Sequence, residues 1–469
     1  MRVVCQDVPG WVPAEAALTA AGHTVGGEPE VLVLGLPGGS DEERLLGATH
    51  GVYETLLSTP ARGVVLLGSL RVMEAYDERW AVDERWVPRP STEMASLAPF
   101  LAEHTAREVA RDGGPRVWVM RLDEPGGGRP GVHPDDAASL LVRVVERLGE
   151  LGERRSTKEP AFSVVHATGG GRFAVAAAGR DPFSWQPAHP RTEEVPAREP
   201  EWPSGAEPIT VAGGVQRVTM YGAGGPLGVA TTRELVREVT LTATDLTPFA
   251  ALASREPQAP GAPLPESLPA PHEERVLDIT VYEEVLDAAR GADCLVNTSV
   301  VREDVKGAFL VNLVGAWNVM RAAVELGIPR VVLTGPTLQL GGPLSWLLES
   351  RVPAASPPKP GAWAYSLSKH LGLLVCRVLA EHHRVAAPAL LFTQLHEPTV
   401  VGNDIVDYSI SWRDAGRAVA AATRVQTWPE PSTHLDVSVP NPYGWVQPDL
   451  TWQLLGIEPE DSFADRWAR

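Results

Sequence analysis

Tyr365 and Lys369 bracket the segment Tyr365-Ser366-Leu367-Ser368-Lys369. A phenol with an ordinary pKa of about 10 becomes a usable base near neutrality only if a cation favours its phenolate. On a helix this spacing puts both side chains on one face. Far upstream, Tyr221-Gly222-Ala223-Gly224-Gly225-Pro226-Leu227-Gly228 is a glycine turn. Residues without side chains let the backbone turn tightly, aim amides at a phosphate and open a helix whose N-terminus favours negative charge. In this order the two features imply a dinucleotide at a Rossmann-type sheet, with tyrosine acid/base chemistry beside it. Asp245, ending the next expected strand, can accept hydrogen bonds from both hydroxyls of an adenosine ribose. No basic residue follows at once to welcome a 2'-phosphate, so NAD is expected in preference to NADP. Asp278 and Ile279 are expected at the adenine edge. The expected cofactor-binding set is thus Gly222, Gly225, Gly228, Asp245, Asp278, Ile279, Asn297 and Lys369, with no metal ligands.

The elements that must position these residues alternate as an α/β fold requires. In the C-terminal half, strands are expected at Gln216 to Tyr221, Val239 to Thr244, Arg275 to Thr280, Cys294 to Thr298, Arg330 to Thr334 and Ala389 to Thr393. Long helices are expected at Gly307 to Leu326 and Ala364 to His382. Landmarks recur in the same order in the N-terminal half. Arg121-Leu122-Asp123-Glu124-Pro125 is echoed by Gln394-Leu395-His396-Glu397-Pro398, and Gly63 to Gly68 by Arg330 to Gly335, each behind a helical stretch containing Gly51 or Gly315. Asp135 to Ala138 is echoed by Arg413 to Gly416, and Phe173 to Pro187 by Trp445 to Pro459. The reading is a tandem duplication of two Rossmann-like, doubly wound parallel-sheet domains. They occupy residues 1–187 and 209–469, joined by a proline-rich linker over 188–208. Met1 to Cys5, Pro13 to Ala21 and Glu30 to Leu34 open the first half. The last of these matches Cys294 to Thr298, so the first sheet should be the smaller.

A chain of 469 residues, 44% apolar, can bury more than one core. Its formal charge of -18 would repel a phosphate backbone, which argues against nucleic acid as a partner. Cys5, Cys294 and Cys376 have no metal-ligand spacing and suit a reducing compartment. The opening residues break their apolar run too early for a signal peptide, and no later run is expected to span a bilayer. A cytoplasmic protein acting on a small molecule is expected.

From Gln216 to Arg469 the chain resembles the extended short-chain dehydrogenase/reductase family, also called the NAD-dependent epimerase/dehydratase family. Gly222 to Gly228 resembles its Gly-x-x-Gly-x-x-Gly turn, with Tyr221 where threonine is usual. Asn312-Leu313-Val314-Gly315-Ala316-Trp317-Asn318 resembles its Asn-x-x-Gly-x-x-Asn helix, and Tyr365 to Lys369 its Tyr-x-x-x-Lys motif. The resemblance implies that Tyr365 exchanges a proton with a substrate hydroxyl or carbonyl while Lys369 holds the nicotinamide ribose. It also implies an intramolecular pseudo-dimer built from the helices around 48–57, 94–110, 307–326 and 364–382. Two departures stand out. Pro336 falls where the family has a catalytic serine or threonine, which leaves Thr337 or Thr334 to substitute, and Gln394 replaces an arginine. In the N-terminal half Ser69 keeps the hydroxyl position, but Met94 and Ala98 stand where tyrosine and lysine belong, and Asp7 to Trp11 replaces the glycine turn. That half reads as a degenerate, structural copy. The chain after Lys369 is short, which favours a small sugar-type substrate for an oxidoreductase or epimerase-like enzyme with Tyr365, Lys369 and Thr337 as catalytic residues. The alternative is a non-catalytic NAD(H)-binding regulatory or scaffold protein.

Overall fold

Unbroken runs of valine, leucine and isoleucine without polar alternation make strands that are buried on both faces, the signature of a parallel sheet covered by helices. The computed structural model describes residues 1–125, 131–151, 160–173, 183, 185–191, 207–337, 358–399, 409–440 and 449–463. They fall into two units, Met1–Pro203 and Ser204–Arg469. Most of the expected linker, the middle of the Phe173 to Pro187 echo, the start of the Trp445 to Pro459 echo and Leu338 to Gly341 lie outside the described residues.

The first unit runs β1 Arg2–Gln6, α1 Ala14–Ala20, β2 Thr24–Val25, β3 Val31–Leu34, α2 (41–58), β4 Gly63–Ser69, α3 Met94–Arg111, β5 Arg116–Leu122, α4 Pro134–Glu150 and β6 Phe162–Ala167. Its six-stranded sheet is parallel throughout, in the order β2-β1-β3-β4-β5-β6. A capping box starts α2: Ser40 accepts from the Glu43 amide, and the Glu43 carboxylate accepts from the Ser40 amide. The helix therefore begins seven residues before the expected Ala48.

The second unit runs β7 Arg217–Tyr221, α5 Pro226–Leu235, β8 Thr240–Asp245, β9 Glu273–Val276, α6 Tyr282–Ala289, β10 Cys294–Asn297, α7 (305–326), β11 Val331–Pro336, α8 Ala364–His383, β12 Ala389–Phe392, α9 Trp412–Ala422, β13 His434–Asp436 and α10 Asp449–Leu455. Its seven strands are also parallel, in the order β9-β8-β7-β10-β11-β12-β13. Both orders reverse direction beside the first strand of the unit. The first sheet lacks only a counterpart of β9. Val31–Leu34 sits between β1 and β4 as Cys294–Asn297 sits between β7 and β11. A π-helical turn interrupts the equivalent helix in each unit, at Gly47–Gly51 and at Leu310–Gly315.

Two expectations need correcting. The strand expected over Arg275 to Thr280 stops at Val276, because the Asp278 carboxylate takes both the amide and the hydroxyl of Thr280 and turns the chain out of the ladder. Helix α7 is, by length and composition, apolar enough to cross a membrane, although no such run was expected. Its apolar window is 72% buried, which makes it a core helix of the unit.

Under the first sheet's carboxyl end, Arg121 donates twice to Glu103, at 2.8 Å each, with both side chains almost wholly buried. Glu103→Ala would leave a buried guanidinium unpaired and is expected to cost about 3–5 kcal/mol in chemical denaturation. The double change Arg121→Met, Glu103→Leu should recover most of that loss.

Candidate functional site

Strand order reverses between β7 and β10, and there the carboxyl ends of neighbouring strands diverge and open a crevice. The glycine turn sits at this point. Gly222 has φ +79°, and a Cβ there would lie 2.5 Å from the Ser299 amide nitrogen, so neither the turn nor its seat against β10 allows another residue. A Cβ on Gly228 would collide with the Gly222 carbonyl, which fixes α5 close beneath the turn. Gly225 differs. A Cβ there meets nothing closer than 3.6 Å, so the protein's own packing does not account for that glycine. Gly225 caps α5, Pro226 occupies its first position, and the amides of Leu227 and Gly228 find no acceptor among the described residues. The arrangement suits an anion with two or more oxygens.

Asp245 ends β8 beside the turn. One carboxylate oxygen accepts from the Gly224 amide at 3.0 Å and the other from Thr247 at 3.2 Å. Burial raises its pKa and these amides oppose the rise. Asp278 and Ile279 follow directly, since the Leu277 amide donates to the Asp245 carbonyl. The Asp278 carboxylate is occupied by Thr280, and Ile279 is buried against Gly315. Asn297 ends β10, but its side-chain oxygen accepts from the Ser299 amide at 3.0 Å. It shapes the loop and does not present its carbonyl to the crevice.

The expected phenol–ammonium pair does not form. Lys369, 5% exposed, donates to the Ser299 carbonyl at 2.6 Å and to the Thr334 carbonyl at 3.4 Å. The Ser299 carbonyl lies in the loop after β10 and the Thr334 carbonyl within β11, and a buried acceptor is costly to leave bare. Burial, with the charge of Arg302, pushes the Lys369 ammonium down to about 7. The cation that lies over Tyr365 is Arg302, whose guanidinium carbon is 5.3 Å from the ring centroid. Burial raises the phenol above its usual pKa, and the nearby Arg302 guanidinium opposes that rise. Trp363, 59% exposed, stands edge-on to the same ring at 4.9 Å.

The substitute hydroxyls are also committed. Thr334 donates to the Asn297 carbonyl at 2.9 Å. Thr337 receives the Thr393 hydroxyl at 3.0 Å and in turn hydrogen-bonds to the Asp436 carboxylate. These three residues leave the neighbouring strands β11, β12 and β13, and no described contact joins Thr337 to Tyr365 or Lys369. Thr337 as a catalytic donor is therefore corrected: its hydroxyl serves Asp436. Burial raises the Asp436 pKa from 3.8 to about 6, and its buried Oδ1 has no hydrogen-bond partner. The sequence reading missed Arg302, Ser299 and Asp436. An arginine a few residues past a strand end was the one visible sign, and only the loop's path after β10 brings it to Tyr365.

No family model and no curated protein matches the chain. Among solved structures, glucuronic acid dehydrogenase from Chromohalobacter salexigens aligns at 19% identity over 54% of this chain and 88% of its own, with a TM-score of 0.43. Uronate dehydrogenase from Agrobacterium tumefaciens aligns at 20% identity over 52% and 85%, TM-score 0.43. A UDP-galactose 4-epimerase aligns at 17% identity over 54% and 96%, TM-score 0.40. At such identities and scores the chemistry of this chain has to be read from its own residues.

Two predictions follow from the packing. Gly225→Ala is expected to leave the melting temperature within a degree or two while weakening NADH binding at least tenfold in a fluorescence titration. Gly228→Ala should lower the melting temperature itself. Asp436 releases its proton less readily when folded, so its contribution lowers stability as pH rises from about 4 to about 6, and the full penalty stands above that. Asp436→Asn is expected to stabilise the protein on the order of 1–2 kcal/mol at about pH 7.5. Near pH 4 the two proteins should melt together.

Proposed function

We propose that the second unit is an NAD(H)-dependent oxidoreductase or epimerase-like enzyme for a small hydroxylated or carbonyl, sugar-type substrate. The observation that carries this reading is convergence. The glycine turn, Asp245, Lys369 and Tyr365 arrive from β7, β8 and α8 at one sheet end, beside the switch point. The residues fit the cofactor. The open face of Gly225 and the unpaired amides of Leu227 and Gly228 would take the pyrophosphate, Asp245 the adenosine ribose, and Lys369 the nicotinamide ribose. When bound, NAD supplies the hydride acceptor. The chain's own contribution is proton movement and placement. Tyr365 would take the proton of a substrate hydroxyl on oxidation and return it on reduction. Lys369, held by two carbonyls, fixes the floor of the crevice.

The shared strand order and the paired π turns support descent of both units from one ancestor by duplication. In the first unit Asp7, with φ +50°, follows the first strand where Gly222 does in the second, so a side chain stands in a turn that the second unit leaves bare. One cofactor per chain is the consequence. A second reading, a non-catalytic NAD(H)-binding module, is favoured by Pro336 and by the commitment of Thr334 and Thr337 to other acceptors.

Calorimetric titration of NADH is expected to show a single site per chain. Tyr365→Phe should keep that binding and slow turnover at least ~100-fold on a substrate found by following NADH absorbance across sugars, uronates and aldehydes. Absence of heat with both NAD and NADH would falsify the reading. Binding without turnover across the panel would favour the non-catalytic module.

A further inference from the structure

We propose that Arg302, from the loop after β10, is the cation that stabilises the Tyr365 phenolate, the part that helical spacing assigns to Lys369. This deepens the reading of Tyr365 as the acid/base. Three observations converge on it. Arg302 lies over the phenol ring, its guanidinium carbon 5.3 Å from the centroid. Lys369 points elsewhere, with two of its three donors on the carbonyls of Ser299 and Thr334. An arginine stays charged at any working pH, whereas a buried lysine does not. The charged groups around the phenol are few. Arg302 reaches it from the loop after β10, Lys369 lies one turn along its own helix, and among the described residues Arg302 alone bears on the ionisation of Tyr365. On ionisation the phenol proton passes to the substrate oxygen or to solvent, and the negative charge left on the ring oxygen faces the guanidinium.

This division of labour also fits the missing hydroxyl. With Pro336 at the end of β11 offering no hydroxyl, the exposed Arg302 guanidinium over the phenol ring is a donor that a substrate oxygen could meet. Lys369 then acts as a positioning residue for the crevice floor.

The test is the ionisation of Tyr365 itself, in the full chain without cofactor. A difluorotyrosine installed at position 365 brings the titration into a range where the protein is folded and gives a single fluorine NMR signal. Arg302→Gln is expected to raise its midpoint by about one unit, and Arg302→Lys to restore most of the difference. Lys369→Met should move the midpoint by less than Arg302→Gln does. The same comparison with carbon-13-labelled tyrosine, the resonance identified by its loss in Tyr365→Phe, covers the unmodified side chain. An unchanged midpoint in Arg302→Gln overturns the proposal, as does a shift in Lys369→Met equal to or larger than that in Arg302→Gln. Because no cofactor is present, a failure of NADH to bind would sink the proposed function and leave this result intact.

Discussion

Where the parallel strands of the second unit end, side-chain donors reinforce the backbone hydrogen bonds to their last carbonyls. Thr298 donates to the carbonyls of Tyr221 and Gly222, Thr334 to that of Asn297, and Lys369 to those of Ser299 and Thr334. This stitching joins β7, β10 and β11 at the switch point and holds the glycine turn in its left-handed conformation against Ser299. Each donor is worth only about a kilocalorie per mole in net terms, but each buried carbonyl left bare would cost more. The crevice is therefore rigid where a cofactor would rest. The groups that look most chemical in the sequence are partly spent on making it so.

That double use explains which parts of the site could be read from the sequence. The glycine turn, Asp245 and the Tyr365–Lys369 interval were legible because each is a local pattern with a local physical cause: φ > 0, a strand-end carboxylate, a helical turn. Most strands of both sheets were legible as unbroken apolar runs, though their order was not. The direction of Lys369 was not legible. Helical spacing places its Cβ beside that of Tyr365, yet a long, flexible side chain goes to the strongest acceptors within reach, and those belong to loops 35 and 70 residues away. Thr337 failed for a similar reason. Its partner Asp436 comes from the far edge of the sheet, and no spacing rule connects them.

Buried ionisable groups at the same end carry a stability cost that packing does not offset. Asp436 keeps a buried oxygen without a partner, and Lys369 sits where its charged form is disfavoured. A protein selected for stability alone would replace both with apolar or amide side chains. Both lie at the carboxyl end of the sheet, where chemistry can set the choice of residue, while His434 carries a similar burial cost at the amino end of β13.

The first unit makes the contrast within one chain. It has the same strand order, and its sheet end also holds charge, but there the charges are closed on one another. Arg121 is bound through Nε and one terminal nitrogen to Glu103 and through the other to His166, while Glu124 pairs with Arg71 at 3.7 Å. In the second unit the equivalent end leaves Arg302 exposed over a phenol and Asp436 with an unanswered oxygen. Two sheets of one topology have thus met the same constraint in opposite ways. In one, the described polar groups pair internally. The other leaves polar groups facing a crevice, where a ligand of matching chemistry could complete them.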